Sequence, residues 1–307
     1  MKPSGLHLLL TYKCNASCGH CFLSCSPQQK GTMSAEEANG YIDQAAKIPY
    51  INHLFIEGGE PFLYPDTVRT IIKRATDKGF WIGLLSNGFW AANDEKAREV
   101  LAPLIEAGLT NLDISTDAWH SEFVPLERAE RAARVAQELG VEAELMVCAG
   151  GVNESSVLTK LKTDGFDISP SGIVCKGRAS TSDICTMEKV PWEKLTSCGV
   201  KFGGGSRVHI GPYGGIHICQ GLLAKGDARV KPLKKIFKTF NLKGQPICAA
   251  LDRGGPAELA GLAKEYGFEV KDAYADGCQL CFETRCHLQK FFPDEIGPPG
   301  IFKSNAA

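Results

Sequence analysis

The sequence predicts an α/β protein: a parallel sheet wound with helices over about the first 180 residues, then a smaller, cysteine-rich α+β appendage. Three observations predict it. Short apolar, β-branched-rich runs alternate with amphipathic stretches about six times, the amphipathic stretches carry readable helix ends, and beyond Ala179 glycine and proline break this pattern up. Repeated strand–helix alternation implies right-handed crossovers, hence an open doubly wound sheet or part of a barrel. In both, the working edge is the carboxyl ends of the strands.

The expected strands are Leu6–Thr11, His53–Glu57, Phe80–Leu85, Asn111–Ser115, Val141–Cys148 and Gly172–Cys175. Ser34 with Glu37 makes a capping box that opens a helix to about Ile48. Pro65–Lys78, Asn93–Ala107 and Pro125–Leu139 close at Gly79, Gly108 and Gly140, and a weaker helix covers Glu154–Lys162. Further on, Gly203-Gly204-Gly205, Gly211-Pro212-Tyr213-Gly214-Gly215 and Gly254-Gly255-Pro256 punctuate the chain. Arg207–Ile210 and Ile216–Cys219 flank a turn and read as a hairpin; Pro232–Phe240 and Pro256–Tyr266 read as short helices. The expected boundaries are 1–185 for the sheet domain, 186–292 for the appendage and 293–307 for a Pro/Gly-rich tail.

Composition excludes several classes. With 307 residues, 44% hydrophobic and 22% charged, the chain is long enough to bury a core and too apolar for wholesale disorder. Lys+Arg 34 against Asp+Glu 35 gives net charge -1, so nothing electrostatic suggests nucleic acid or an anionic membrane as partner. No window reaches the roughly 18 apolar residues of a membrane span. Leu6, Leu8, Leu9 and Leu10 make a run too short for a signal-peptide core of about 7–15 apolar residues, so the cytoplasm is expected. Thirteen cysteines in such a chain point to metal rather than disulfides.

Directly after the first strand stand Cys14, Cys18 and Cys21, a C-x3-C-x2-C spacing. Three thiolates on a short loop can hold an iron–sulfur cube at three corners and leave one iron open. Zinc with His20 as a further ligand is one alternative. Cys25, followed by Ser26-Pro27, offers another: a fourth corner, closing the cube into an electron carrier.

The spacing, its place at a strand end and the later motifs resemble the radical S-adenosylmethionine (SAM) superfamily. The resemblance implies a partial (β/α)6 barrel, a [4Fe–4S] cluster on Cys14, Cys18 and Cys21, and SAM bound at its open iron and cleaved reductively to a 5′-deoxyadenosyl radical that abstracts hydrogen from substrate. A flavodoxin- or ferredoxin-type reductant would supply the electron. Gly58-Gly59-Glu60 resembles the family's GGE motif, which assigns Glu60 to the methionyl amino group of SAM; taken alone it reads as a turn. Ser86 and Asn87 are short polar groups able to reach the carboxylate or ribose of SAM. Alternation puts Asp113, Ser115 and Asp117 on one face, suited to ribose hydroxyls, or else makes them a polar strand end with helix caps. Gly177-Arg178-Ala179 resembles the family's GRA element, with the Arg178 fork toward the SAM carboxylate. His120 is a candidate acid/base or substrate contact.

The second cysteine set, Cys198-x15-Gly214-x4-Cys219 and Cys278-x2-Cys281-x4-Cys286, resembles the auxiliary-cluster region of SPASM and twitch domains. It implies one auxiliary [4Fe–4S] cluster on Cys198, Cys219, Cys278 and Cys281, with Cys286 as substitute; a zinc ribbon is the alternative. A spare thiol facing the substrate, Cys248 or Cys286, could return a hydrogen atom and make the outcome epimerisation. Cys14–Pro27 is similar to peptide epimerases among the radical SAM enzymes. The expected substrate is a ribosomally made peptide, epimerised or cross-linked. The alternatives are a small molecule oxidised through the auxiliary cluster, such as an aminocyclitol, sugar or cofactor precursor, and a non-catalytic electron carrier or scaffold.

Overall fold

Alternate residues of the first strand carry opposite chemistry, and its neighbours repeat the pattern in register. In the computed structural model, β1 (Gly5–Thr11) pairs in parallel with β2 (His53–Gly58), and β2 with β3 (Trp81–Ser86). The series continues through β4 (Asn111–Ser115), β5 (Glu142–Ala149) and β6 (Ile168–Gly172). One face is aliphatic: Leu6, Leu8, Leu54, Ile56, Ile82, Leu84, Leu112, Ile114 and Leu145 are all fully buried. The other carries His7, Glu57, Asn111, Asp113, Ser115 and Glu144. Residues 1–149, 154–181, 183–202 and 207–302 are described, so the Gly203-Gly204-Gly205 run lies outside the described residues.

Amphipathic helices link these strands. α1 (Ala35–Ala45) starts at the expected capping box and buries Tyr41 and Ile42. α2 (Pro65–Asp77) buries Val68, Ile71 and Ile72 and packs on β3. α3 (Asp94–Glu106) begins at Asn93, whose side chain accepts the Lys96 N–H. After the short α4 (Ala118–Ser121), α5 (Leu126–Glu138) buries a row of alanines with Val135 against β4 and β5. α6 (Glu154–Thr163) leads to β6.

The sixth strand lies earlier than the expected Gly172–Cys175. Its Ile-Ser-Pro-Ser-Gly sequence has no strand-like apolar pattern, and as the last of the six it tolerates Pro170 at a partly exposed edge.

The chain divides into two compact units: Gly5–Cys18 with Cys25–Ile173, and Met1–Ser4 with Gly19–Ser24 and Val174–Ala307. The main division falls at residue 174. Residues 293–302 are not a loose tail either: Leu223 N donates to Glu295 O at 2.8 Å, Glu295 Oε2 accepts Ile247 N at 3.1 Å, and Ile301 is buried.

In the second unit β7 (Val190–Pro191) precedes the expected hairpin of β8 (Arg207–Ile210) and β9 (Gly215–Cys219). β10 (Leu222–Asp227), not expected from the sequence, extends this antiparallel sheet and packs on α7 (Leu233–Thr239). α8 (Pro246–Lys264) starts well before the expected Pro256 and breaks at Gly254 and Gly255. Gly255 has φ +63°, and a Cβ there would lie 2.5 Å from Ser197 N, so only glycine lets the helix meet the backbone next to Cys198. β11 (Ala273–Tyr274) pairs with β7. It leads into α9 (Gly277–Leu288), capped by Asp276 and packed on α8; α10 (Pro299–Phe302) follows. Ile247, Leu251, Leu259, Leu288 and Ile296 form the core of this unit.

Candidate active site

The loop after β1 is closed at its foot, where Cys14 N donates to Ser26 O at 3.1 Å. It carries the three cysteines outside any disulfide, Cys14 and Cys18 buried and Cys21 half-buried. Ala16 N donates to Cys14 Sγ at 3.4 Å. Cys25 sits at the loop's foot, 3% exposed.

Gly58 and Gly59 bring the end of β2 against the start of this loop. A Cβ at Gly58 would lie 2.5 Å from Thr11 O, and one at Gly59 2.1 Å from Lys13 O. Gly59 N donates to Thr11 O at 2.6 Å and Glu60 N to Lys13 O at 3.0 Å. The two glycines are therefore required by strand packing that fixes the residue before Cys14.

Glu60 does not present its side chain outward. It is fully buried and accepts from Phe62 N at 3.0 Å, Ser86 Oγ at 3.0 Å and Asn87 N at 2.8 Å. Burial pushes its carboxyl up to about 7 against these three donors. Ser86 is likewise internal, accepting from Gly88 N and Trp90 Nε1. Asn87 Nδ2 donates to Asn15 Oδ1 at 2.9 Å and lies 4.0 Å from Cys14 Sγ. The Glu60 and Ser86 side chains thus join the end of β2 to the 86–88 turn beside the cysteine loop.

Asp113 and Ser115 point to the polar face of the sheet, as expected. Burial, then the neighbouring charges of Glu144 and Glu57, push Asp113 up to about 7. Asp117 does not join them. β4 ends at Ser115, and Asp117 Oδ1 caps α4 through Trp119 N and His120 N, while Oδ2 pairs with His120 Nδ1 at 2.8 Å. His120 is thereby oriented at the carboxyl end of β4, partly exposed. Cys148 stands on the same face as Glu144 and Met146, two and four residues along β5, and is half-buried.

In the second unit Gly177–Thr181 forms a single turn whose backbone packs on Cys21 and Phe22 of the same unit. Arg178 N donates to Cys21 O at 3.0 Å, and a Cβ on Gly177 would lie 2.5 Å from Phe22 O.

Cys219 ends β9, Cys278 and Cys281 lie one turn apart on α9, and Cys198 precedes α8 in the chain. Burial raises the thiols of Cys198 and Cys278, and the proximity of Cys281 and Cys219 raises both further. Burial raises Cys219, but Lys176 and Arg285 outweigh it and leave the thiol below its usual range. Lys176 Nζ lies 3.9 Å from Cys219 Sγ. Cys286, on the same helix, is pushed up to about 12 by burial and interacts chiefly with Arg285 and Glu283. Cys248 is fully buried in the core beside Cys281, its thiol raised by burial, so it presents no surface to a substrate. Against the expectation of reduced thiols, Cys175 and Cys185 form a disulfide.

A family model described as the radical SAM superfamily matches residues 8–162, half of the chain. The chain belongs to the radical SAM superfamily. Among curated relatives of this radical SAM protein, "Putative peptide biosynthesis protein YydG" of Bacillus subtilis (strain 168) is 32% identical over 38% of the chain and 36% of the relative. "GTP 3',8-cyclase" of Paenarthrobacter nicotinovorans is 29% identical over 52% of the chain and 44% of the relative. The chain thus spans less than half the length of either. In fold it is similar to BtrN, solved in complex with AdoMet and 2-DOIA, at TM-score 0.51 and 14% identity over 83% of this chain and 89% of that one.

The family's cofactors are a [4Fe–4S] cluster and SAM, and the donors present fit them: three cysteines outside any disulfide on one closed loop, with no fourth thiol in the C-x3-C-x2-C run itself. Glu57, Glu144, Cys148 and Arg285 were not singled out from sequence. Only the strand register brings the two glutamates to Asp113, and only α9 buries Arg285 among cysteines.

Proposed function

We propose that this protein is a peptide-modifying radical SAM enzyme that abstracts a hydrogen atom from a ribosomally made peptide and epimerises or cross-links it. When bound, the cluster and SAM supply the reductive cleavage that makes the 5′-deoxyadenosyl radical. Cys14, Cys18 and Cys21 would hold the cluster, and the 58–60 backbone and Asn87, braced by Glu60 and Ser86, would line the SAM pocket. Asp113 and Ser115 would take the ribose hydroxyls, and Arg178 the carboxylate. Cys198, Cys219, Cys278 and Cys281 would hold one auxiliary [4Fe–4S] cluster. A flavodoxin- or ferredoxin-type protein delivers the electron, in the cytoplasm.

The observation that carries the peptide reading is the thiol of Cys148 on the polar face of the sheet, with the peptide-biosynthesis name of YydG as support. A thiol there can return hydrogen to a Cα radical; its own radical is then reduced by one electron and one proton. Cys148 replaces Cys248 as the candidate donor, and Cys286, shielded on α9, is the second choice. His120, oriented by Asp117, would bind substrate or move a proton.

A small-molecule reading is favoured by a different observation. Glu57, Asp113 and Glu144 gather carboxylates on that same face, suited to a cationic or polyhydroxylated substrate, and the relatives include a GTP cyclase.

Anaerobically loaded protein, reduced in the presence of SAM, should form 5′-deoxyadenosine. A peptide encoded beside its gene, treated in deuterated water, should gain one deuterium at Cα. Loss of two hydrogens without deuterium gain points to cross-linking or oxidation, and intact SAM with loaded, reduced protein ends the enzyme reading.

A further inference from the structure

Arg285 is 2% exposed, one of the largest buried side chains of the protein. Moving an ion of this kind out of water is costly unless a counter-charge is supplied. Among the described residues none of its salt-bridge partners is a carboxylate. Its Nη1 donates to Gln220 O at 2.8 Å, the guanidinium also bonds Cys281, and its Nε is buried with no partner. The groups near enough to favour its charge, once ionised, are the thiols of Cys281, Cys219 and Cys286. The carbon of the guanidinium lies 5.6 Å from the Phe302 ring centre and 6.0 Å from that of Phe282, so aromatic faces rather than water surround it.

An orphaned N–H on a buried cation calls for an anion, and the thiols around it can become one. Cys219 ends β9 directly before Gln220, whose carbonyl holds Nη1, and Cys281 lies one helical turn before Arg285 on α9. A cube held by four thiolates carries net negative charge that grows on reduction. A fixed cation beside it therefore favours the reduced form.

We propose that Arg285 is the buried counter-ion of the auxiliary centre on Cys198, Cys219, Cys278 and Cys281, a positioning residue that compensates its thiolate charge and raises its reduction potential. This rests on the auxiliary-cluster reading given above. Four thiolates with one embedded cation make a closed, charge-compensated centre.

The test uses full-length protein carrying Cys14→Ala, Cys18→Ala and Cys21→Ala, so that the auxiliary centre is alone, reconstituted anaerobically and titrated potentiometrically with EPR detection. If this background takes up no auxiliary iron, the auxiliary-cluster reading itself is lost before any Arg285 variant is made. Given iron, Arg285→Met should lower the potential and Arg285→Lys should stay closer to the parent. An unchanged potential in a fully loaded Arg285→Met protein, or equal shifts in both variants, overturns the proposal. If Arg285→Met takes up no iron, Arg285→Lys decides. Restored loading upholds the charge role, and an empty site in both makes Arg285 a packing strut.

Discussion

Glu60 Oε2 accepts the backbone N–H of Asn87 at 2.8 Å, joining the ends of β2 and β3 inside the protein. Asn87 in turn reaches Asn15 and Cys14, so a carboxylate with no exposed surface governs where the cysteine loop starts.

Replacing Glu60 with Gln sets an amide N–H against one of three donors in a site closed to water. The expected cost is roughly 1–3 kcal/mol, read as a lower midpoint in denaturant titration, together with weaker SAM binding by calorimetry. Unchanged stability would show that the three hydrogen bonds do not hold the turn.

Asp113→Asn carries a prediction about pH. The folded carboxyl is raised from 3.8 to about 7, so the native state disfavours the charged form. Below the unfolded pKa the group is neutral in both states and the variant gains nothing; as pH rises through about 7 the native protein bears the full penalty. Asn should therefore stabilise by roughly 1–2 kcal/mol at pH 8, discounted for solvent at this partly open face, and by about zero near pH 3.5. Thermal midpoints of both proteins across pH 3.5–8 check it.

Gly59→Ala places a methyl group 2.1 Å from Lys13 O. Backbone against backbone cannot yield cheaply, so β1 and β2 must part at the cysteine loop. The expected result is a destabilisation of several kcal/mol and, in soluble protein, loss of the iron bound by the first cysteine set with the auxiliary iron retained.

Cys148→Ala should leave 5′-deoxyadenosine formation intact while abolishing deuterium gain in the peptide. Cys248→Ala should leave both readouts unchanged and should instead cost about 1–2 kcal/mol by opening a small cavity in the core. Retention of deuterium gain in Cys148→Ala would move the donor to another thiol.

Much of this was legible in the sequence because period and spacing are local. The first five strands, the Ser34 and Asn93 helix starts, the β8–β9 hairpin and the C-x3-C-x2-C loop all fall where alternation, caps and turns put them. What could not be read depends on partners far away in sequence. α9 was hidden because its Cys-Gln-Leu-Cys-Phe-Glu-Thr-Arg-Cys run lacks an aliphatic stripe, and its cysteines read as ligands before they read as a helix. That Glu60 binds Ser86 and the Asn87 backbone is invisible locally, because its partners lie one βα unit further along the chain. Cys248 looked available because burial is set by the packing of α8 and α9.

Asp276 ties one more of these distant parts together. Its Oδ1 caps α9 and its Oδ2 accepts Cys175 N at 3.2 Å, while Gln279 on the first turn donates to Ser180 O at 3.0 Å. The disulfide between Cys175 and Cys185 staples the segment that those two bonds hold. The helix that carries Cys278 and Cys281 is thus moored at its first turn to a covalent ring, so a reductant that opens the ring would loosen α9 where its cysteines begin. Bleaching of an iron chromophore there would then report thiol reagents as well as heat.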